Sequence, residues 1–203
     1  MPRMLPVTVR SHRALARVWV GLSTSLLAAL LLFACGGASH PASAPVTNSS
    51  RVTTTTLPDV APIAPDFVNI NTMARVGDHF VGSLNGHLTA ALAVAHDPKD
   101  KVYPVGTVIQ LLPTEAMVKR HKGYSPATGD WEFFALQVSA RGTKIGTSGA
   151  RVKNFFGGDC SSCHRAAASH FDFVCEKSHG CAPLGVTDQF IARIQRTDPR
   201  PKR

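Results

Sequence analysis

Acidic residues are missing from the start of this 203-residue chain: none occurs before or within the apolar run Val18–Phe33. That run is too short and too interrupted by serine for a comfortable membrane span, which needs about 20 apolar residues. No internal repeat is visible, which excludes solenoid and array architectures. No basic patch interleaved with aromatics and no nucleic-acid-binding motif occurs, so no nucleic-acid partner is expected. The formal charge of +9 does not restore that reading, because four of the 22 basic residues precede the apolar run. The remaining 18 stand against 13 acids, a balance of +5. Such an excess suits a solvated face, or steering toward an acidic redox partner or an anionic surface.

What stands at the N-terminus instead is Arg3, Arg10, Arg13 and Arg17 ahead of the apolar run. This is the n-region and h-region of a secretory signal. Its end, Leu32-Phe33-Ala34-Cys35-Gly36, resembles a bacterial lipobox, so residues 1–34 read as a lipoprotein-type signal with Cys35 lipidated. An ordinary signal cleaved between Ala34 and Ala44 is the alternative. Either way the chain is expected in the cell envelope, lipid-anchored and facing the periplasm or soluble within it.

Cys160-Ser161-Ser162-Cys163-His164 carries the most specific chemistry. C-x-x-C-H is the attachment signature of a c-type haem. The two thiols add across the haem vinyl groups, and the adjacent histidine becomes the proximal iron ligand. A zinc site would need a second ligand pair at similar spacing. The cysteines nearest by, Cys175 and Cys181, are too far apart in sequence for that pattern. A redox dithiol is expected in a βαβ context, which is lacking. Covalent haem c is assembled outside the bacterial inner membrane, so the motif and the export signal support each other.

The five cysteines then divide into one lipid anchor, two haem thioethers and one remaining pair. In an oxidising compartment a Cys175–Cys181 disulfide is feasible across its short loop. Two buried free thiols are the alternative.

Residues 35–64 are rich in Ala, Ser, Pro, Thr and Val and read as a low-complexity tether. Residues 65–196 are a usual size for one domain. Residues 197–203, with two prolines, read as a disordered, solvated tail. Within the domain, Phe80, Leu84, Leu88, Leu92 and Ala95 fall at helical spacings, predicting a helix over Asn71–Ala95 that Gly82 and Gly86 weaken and split. Gly106–Leu112 and Trp131–Val138 read as strands, with a further turn and strand near Gly142–Gly146. His121–Asp130 reads as loop. Thr187–Gln195 reads as a short amphipathic helix with Phe190, Ile191 and Ile194 on one face.

In small helical electron carriers the haem motif lies near the N-terminus and a downstream methionine supplies the second axial bond. Here the motif comes late and the last methionine is Met117. Helical cytochromes c′ also carry a late motif, but they are four-helix bundles. The two β-like runs argue against that fold.

Tyr103-Pro104-Val105-Gly106-Thr107-Val108, then Gly129-Asp130-Trp131-Glu132-Phe133-Phe134, then Cys160 to His164 followed by Phe171-Asp172-Phe173-Val174 form an ordered series. The series resembles the cytochrome P-460 family, which includes the cytochromes c′-beta, over roughly Met73 to Val174. The resemblance implies an α+β fold: an antiparallel β-sheet packed with helices around one covalently attached haem c. It also implies a proximal histidine, an open distal site, and either hydroxylamine oxidation or binding of small gases such as nitric oxide. Family members are often homodimers. The chain departs from the pattern at one place. The lysine that cross-links to haem in the P-460 enzymes falls at Leu111, and a glutamate of the family pattern falls at Leu112. The oxidase chemistry that depends on the cross-link thereby loses support, whereas haem binding does not.

The sixth iron position decides the function. His79, His87, His96, His121, His170, His179, Met73 and Met117 are candidates to fill it, each against the plainer reading of a surface or structural residue. Phe133 or Phe134 closing an apolar distal pocket is the opposite expectation, with core packing as the alternative. Arg151, Lys153 and Arg165 flank the motif and are candidates to pair with haem propionates, or are plain solvated cations. Three functions follow: a five-coordinate gas-binding module, an enzyme acting on a small nitrogen compound or peroxide, and a six-coordinate electron carrier. No local motif supplies the distal base and arginine of a peroxidase.

Overall fold

Alternation of side chains across a pleated strand sorts the apolar residues of this chain into two faces. Val81, Ile109, Met117 and Phe133 pair with one another in register across four neighbouring strands and share one face. Val108, Ala116, Val118, Phe134 and Leu136 occupy the other, packed with Phe67. The computed structural model describes residues 58–202. The signal, the lipobox with Cys35, and most of the tether lie outside the described residues.

Six antiparallel strands lie in sequence order: β1 (Ala74–Val76), β2 (His79–Ser83), β3 (Thr107–Gln110), β4 (Glu115–Lys119), β5 (Trp131–Ser139) and β6 (Gly142–Gly149). Three helices accompany them: α1 (Leu88–His96), α2 (Cys160–His164) and α3 (Asp188–Arg196). The α+β class expected from the sequence is therefore observed. The first sheet face meets α1, Tyr103, Val152, Cys160 and Val174 in one apolar cluster. Among the described residues no helix is long and apolar enough to cross a membrane.

The helix expected over Asn71–Ala95 exists only from Leu88 onward. Its first half is the β1–β2 hairpin, turned at Gly77, whose φ of 57° suits glycine. Pairing of Phe80 to Ser83 with β3 overrides the helical spacing of that segment. Strand β4 was not expected, because Glu115 and Lys119 at its ends mask a fully paired, largely buried strand. The expected second and third strands are present, β6 running on to Gly149 past a bulge between Ala135 and Leu136.

Described residues of both flanks dock on the domain, where the sequence suggested a low-complexity tether and a disordered tail. The carboxylate of Asp59, placed in the tether, accepts from Arg120 at 2.7 Å and from the His121 N–H at 3.0 Å. In the tail, Asp198 and Arg200 are buried. The Arg200 guanidinium bridges Asp198 at 2.6 Å and donates to the Phe67 carbonyl at 2.9 Å. Asp198 accepts from the Ile70 N–H at 2.9 Å, and Asn69 donates to the Arg200 carbonyl at 2.6 Å. The tail docks because its two charges satisfy each other and the backbone polar groups around them.

Candidate functional site

Helix α2 is a single short turn, and its position follows from local hydrogen bonds. The Asp159 side chain caps it, accepting from the Ser162 N–H at 2.9 Å and the Ser161 hydroxyl at 2.8 Å. The Cys160 N–H donates to the Val152 carbonyl at 3.0 Å, tying the turn to the preceding chain. Residues three and four apart share a helix face, so Cys160, Cys163 and His164 point the same way.

All three line one cavity of about 690 Å³, within the roughly 300–1,000 Å³ usual for cofactor and small-molecule sites. Its floor is the first sheet face, with His79, Ile109, Leu111, Glu115, Met117 and Phe133; its wall is the Val174–Leu184 segment; and α3 closes one side with Ile191 and Gln195. Cys175 and Cys181 in that wall form a disulfide, with Cα atoms 5.8 Å apart. Cys160 and Cys163 are free thiols. Burial, reinforced by the charges of Glu115 and Asp159, pushes the Cys160 thiol up to about 12.

His164 Nδ1 lies 2.6 Å from the Phe173 carbonyl oxygen. A carbonyl only accepts, so Nδ1 carries the proton and Nε2 keeps its lone pair. Burial holds the imidazole below its ordinary range, and the neutral ring is the form that binds metal. The Phe133 ring packs on it with centroids 5.1 Å apart. The Phe173 carbonyl is aimed by an unusual stretch of chain, since Asp172 and Phe173 both have positive φ, 46° and 64°. Lys119 grips the Asp172 carboxylate at 2.6 and 2.7 Å, and the Trp131 indole donates to the Asp172 carbonyl at 2.6 Å. Burial drives Asp172 up and Lys119 down, and each charge opposes the shift of the other.

Two free thiols and a neutral imidazole with a bare Nε2, converging on one cavity, fit a covalent c-type haem. Leu111 lines the cavity and presents no amine to it. Leu112 is fully buried elsewhere.

The remaining candidates separate cleanly. Phe133 faces the cavity on the side of His164. Phe134 is also on the lining, and its ring packs against Phe67 on the opposite sheet face, centroids 4.9 Å apart. Arg165 is exposed and outside the lining. Arg151 and Lys153 border a separate surface hollow beside Ala135 and Thr147. The cations on the cavity lining are Arg75 and Lys177 instead. Of the sixth-ligand candidates only His79 and Met117 line the cavity. His87 precedes α1 and His96 ends it. His121 packs by Tyr124 and His170 pairs with Asp100 at 2.7 Å. His179 stacks on Phe171 at 3.7 Å, and Met73 joins the opposite cluster.

Sequence reading missed Glu115 and Glu176, whose carboxyls burial pushes up. Glu115 accepts from the Phe155 N–H. No local motif marks either residue; adjacency to Cys175 was the one available signal for Glu176.

No protein-family model matches the chain, and neither a curated protein nor a solved structure does.

Proposed function

We propose that this chain is an exported mono-haem c-type cytochrome that binds a small ligand such as nitric oxide, or performs redox chemistry, at its haem iron. The observation that carries the reading is the convergence of Cys160, Cys163 and His164 on one cavity, with the histidine proton committed to Phe173. The antiparallel sheet with accompanying helices agrees with the cytochrome P-460 likeness.

When bound, haem c supplies an iron centre for ligand binding or one-electron chemistry. Cys160 and Cys163 would hold it through two thioethers. His164 would present Nε2 to the iron, held in orientation by the Phe173 carbonyl. Phe133, Ile109 and Val174 exclude water beside it. Arg75 on the lining would offer positive charge to a propionate carboxylate, whereas Lys177 is paired with Asp188 at 2.6 Å. Leu111 offers no cross-link, which argues against P-460-type hydroxylamine oxidation. Cys35 anchors the domain to the membrane, and a periplasmic protein serves as redox partner.

The test is haem-c staining on a denaturing gel after expression in a host with haem-c maturation. The wild type should stain. Cys163→Ser should retain haem by one bond or lose it, and normal two-bond attachment in that variant would sink the assignment.

A further inference from the structure

We infer that His79 is the second axial ligand of the haem iron, an inference that rests on the haem c reading above. His79 opens β2 and lines the cavity floor. It is 4% exposed, and neither ring nitrogen has a hydrogen-bond partner. A buried imidazole left so is uncommon and costly. Among the described residues the other buried histidine, His179, meets the Val174 carbonyl at 2.6 Å. A bond from His79 to metal would relieve the deficit.

The surroundings favour Nε2 as the donor. Nδ1 lies 3.1 Å from Glu176 Oε1, at an angle short of a hydrogen bond. A small rotation completes a carboxylate–histidine–metal arrangement, in which the carboxylate fixes the tautomer and raises ligand basicity. His164 Nδ1 is hydrogen-bonded to the Phe173 carbonyl, so both imidazoles of the cavity turn Nδ1 toward an oxygen.

Sheet order sets the two apart. Phe133, in contact with the His164 ring, is on β5, and His79 is on β2, three strands away. At roughly 4.8 Å per strand this is about 14 Å. Ile109 and Met117 fill the floor between. A planar group standing across this floor with His164 at one face would have the His79 end at its other face. Met117, the competing ligand, pairs directly with Phe133 and so lies beside the proximal residue.

A filled sixth position suits one-electron transfer, and a gas then binds only by displacing His79. The test is absorption spectroscopy of wild-type, His79→Ala and His79→Met holoprotein, oxidised and reduced, with and without carbon monoxide. The inference expects sharp split bands in reduced wild type that carbon monoxide leaves in place. His79→Ala should keep covalent haem yet give broad reduced bands that shift with carbon monoxide, and added imidazole should restore the sharp bands. Wild-type bands that are already broad and carbon-monoxide-sensitive would overturn it, as would a His79→Ala spectrum identical to wild type. If His79→Ala does not fold, near-infrared magnetic circular dichroism of the wild type decides, since bis-imidazole ligation is required there. Absence of covalent haem from wild type would instead overturn the haem c reading itself.

Discussion

The Phe173 carbonyl accepts the His164 Nδ1 proton at 2.6 Å from a residue whose own φ is 64°. A bulky residue in the left-handed region costs of order 1–3 kcal/mol. Asp172 just before it shares that conformation. The cost is offset where Lys119 and Trp131 clamp Asp172. Strain thus sits where the orientation of His164 is decided, and the clamp reaches that histidine through one backbone carbonyl.

Lys119→Met tests the clamp. The lysine and aspartate side chains are only 6% and 8% exposed, so the substitution strands a buried carboxylate. A loss of about 3–5 kcal/mol is expected, read as a lowered midpoint in urea unfolding. A midpoint within error of wild type would show that the pair does not hold the segment.

Gly129→Ala tests the same segment from the other side. Gly129 has φ 60°, and a Cβ there would stand 2.5 Å from Phe173 Cδ2. The ring must shift, and with it the carbonyl that meets His164. A destabilisation of roughly 1–3 kcal/mol is expected, together with a changed proton resonance of the His164 ring. Unchanged stability and resonance would contradict the packing described.

The docked tail gives a third prediction. Arg200→Ala leaves Asp198 buried without its partner, and its side chain has no exposed surface. About 3–5 kcal/mol should be lost, and residues 198–202 should become sensitive to proteolysis. Equal protease resistance in the variant would mean that the tail is held by other contacts.

Acid behaviour follows from Asp59. The Arg120 guanidinium, helped by the His121 N–H, lowers its carboxyl from 3.8 to about 2. A carboxyl lowered on folding contributes stability above its unfolded value and loses it as pH falls through the folded one. The attachment of the segment around Asp59 should therefore persist at pH 4 and fail between about pH 4 and 2. Amide exchange of His121 reports it, and Asp59→Asn should abolish that pH step. The carboxyl is partly solvated, so the effect on global stability is small.

Legibility in the sequence varied by element. Trp131–Ser139 was readable because aromatic and β-branched residues alternate at its ends, and α3 because its apolar residues hold one face. The β1–β2 hairpin was hidden behind coincidental helical spacing from Phe80 to Ala95, since pairing with β3 is a long-range event without a local mark. The same holds for the docking of Asp198 and Arg200, which as sequence look like ordinary solvated charges. At the site, the grouping of Cys160, Cys163 and His164 on one cavity was legible because their fixed C-x-x-C-H spacing falls on one helical turn. His79 was one of eight candidates in sequence and one of two on the cavity lining. Phe134 and Phe133 could not be told apart until strand register placed them on opposite faces.

Covalent haem at Cys160 and Cys163 is tested by intact mass spectrometry under denaturing conditions. Protein from a host with haem-c maturation should carry the mass of one haem, with neither of those cysteines alkylated by added iodoacetamide. A chain without added haem mass, with both cysteines alkylated, would contradict it.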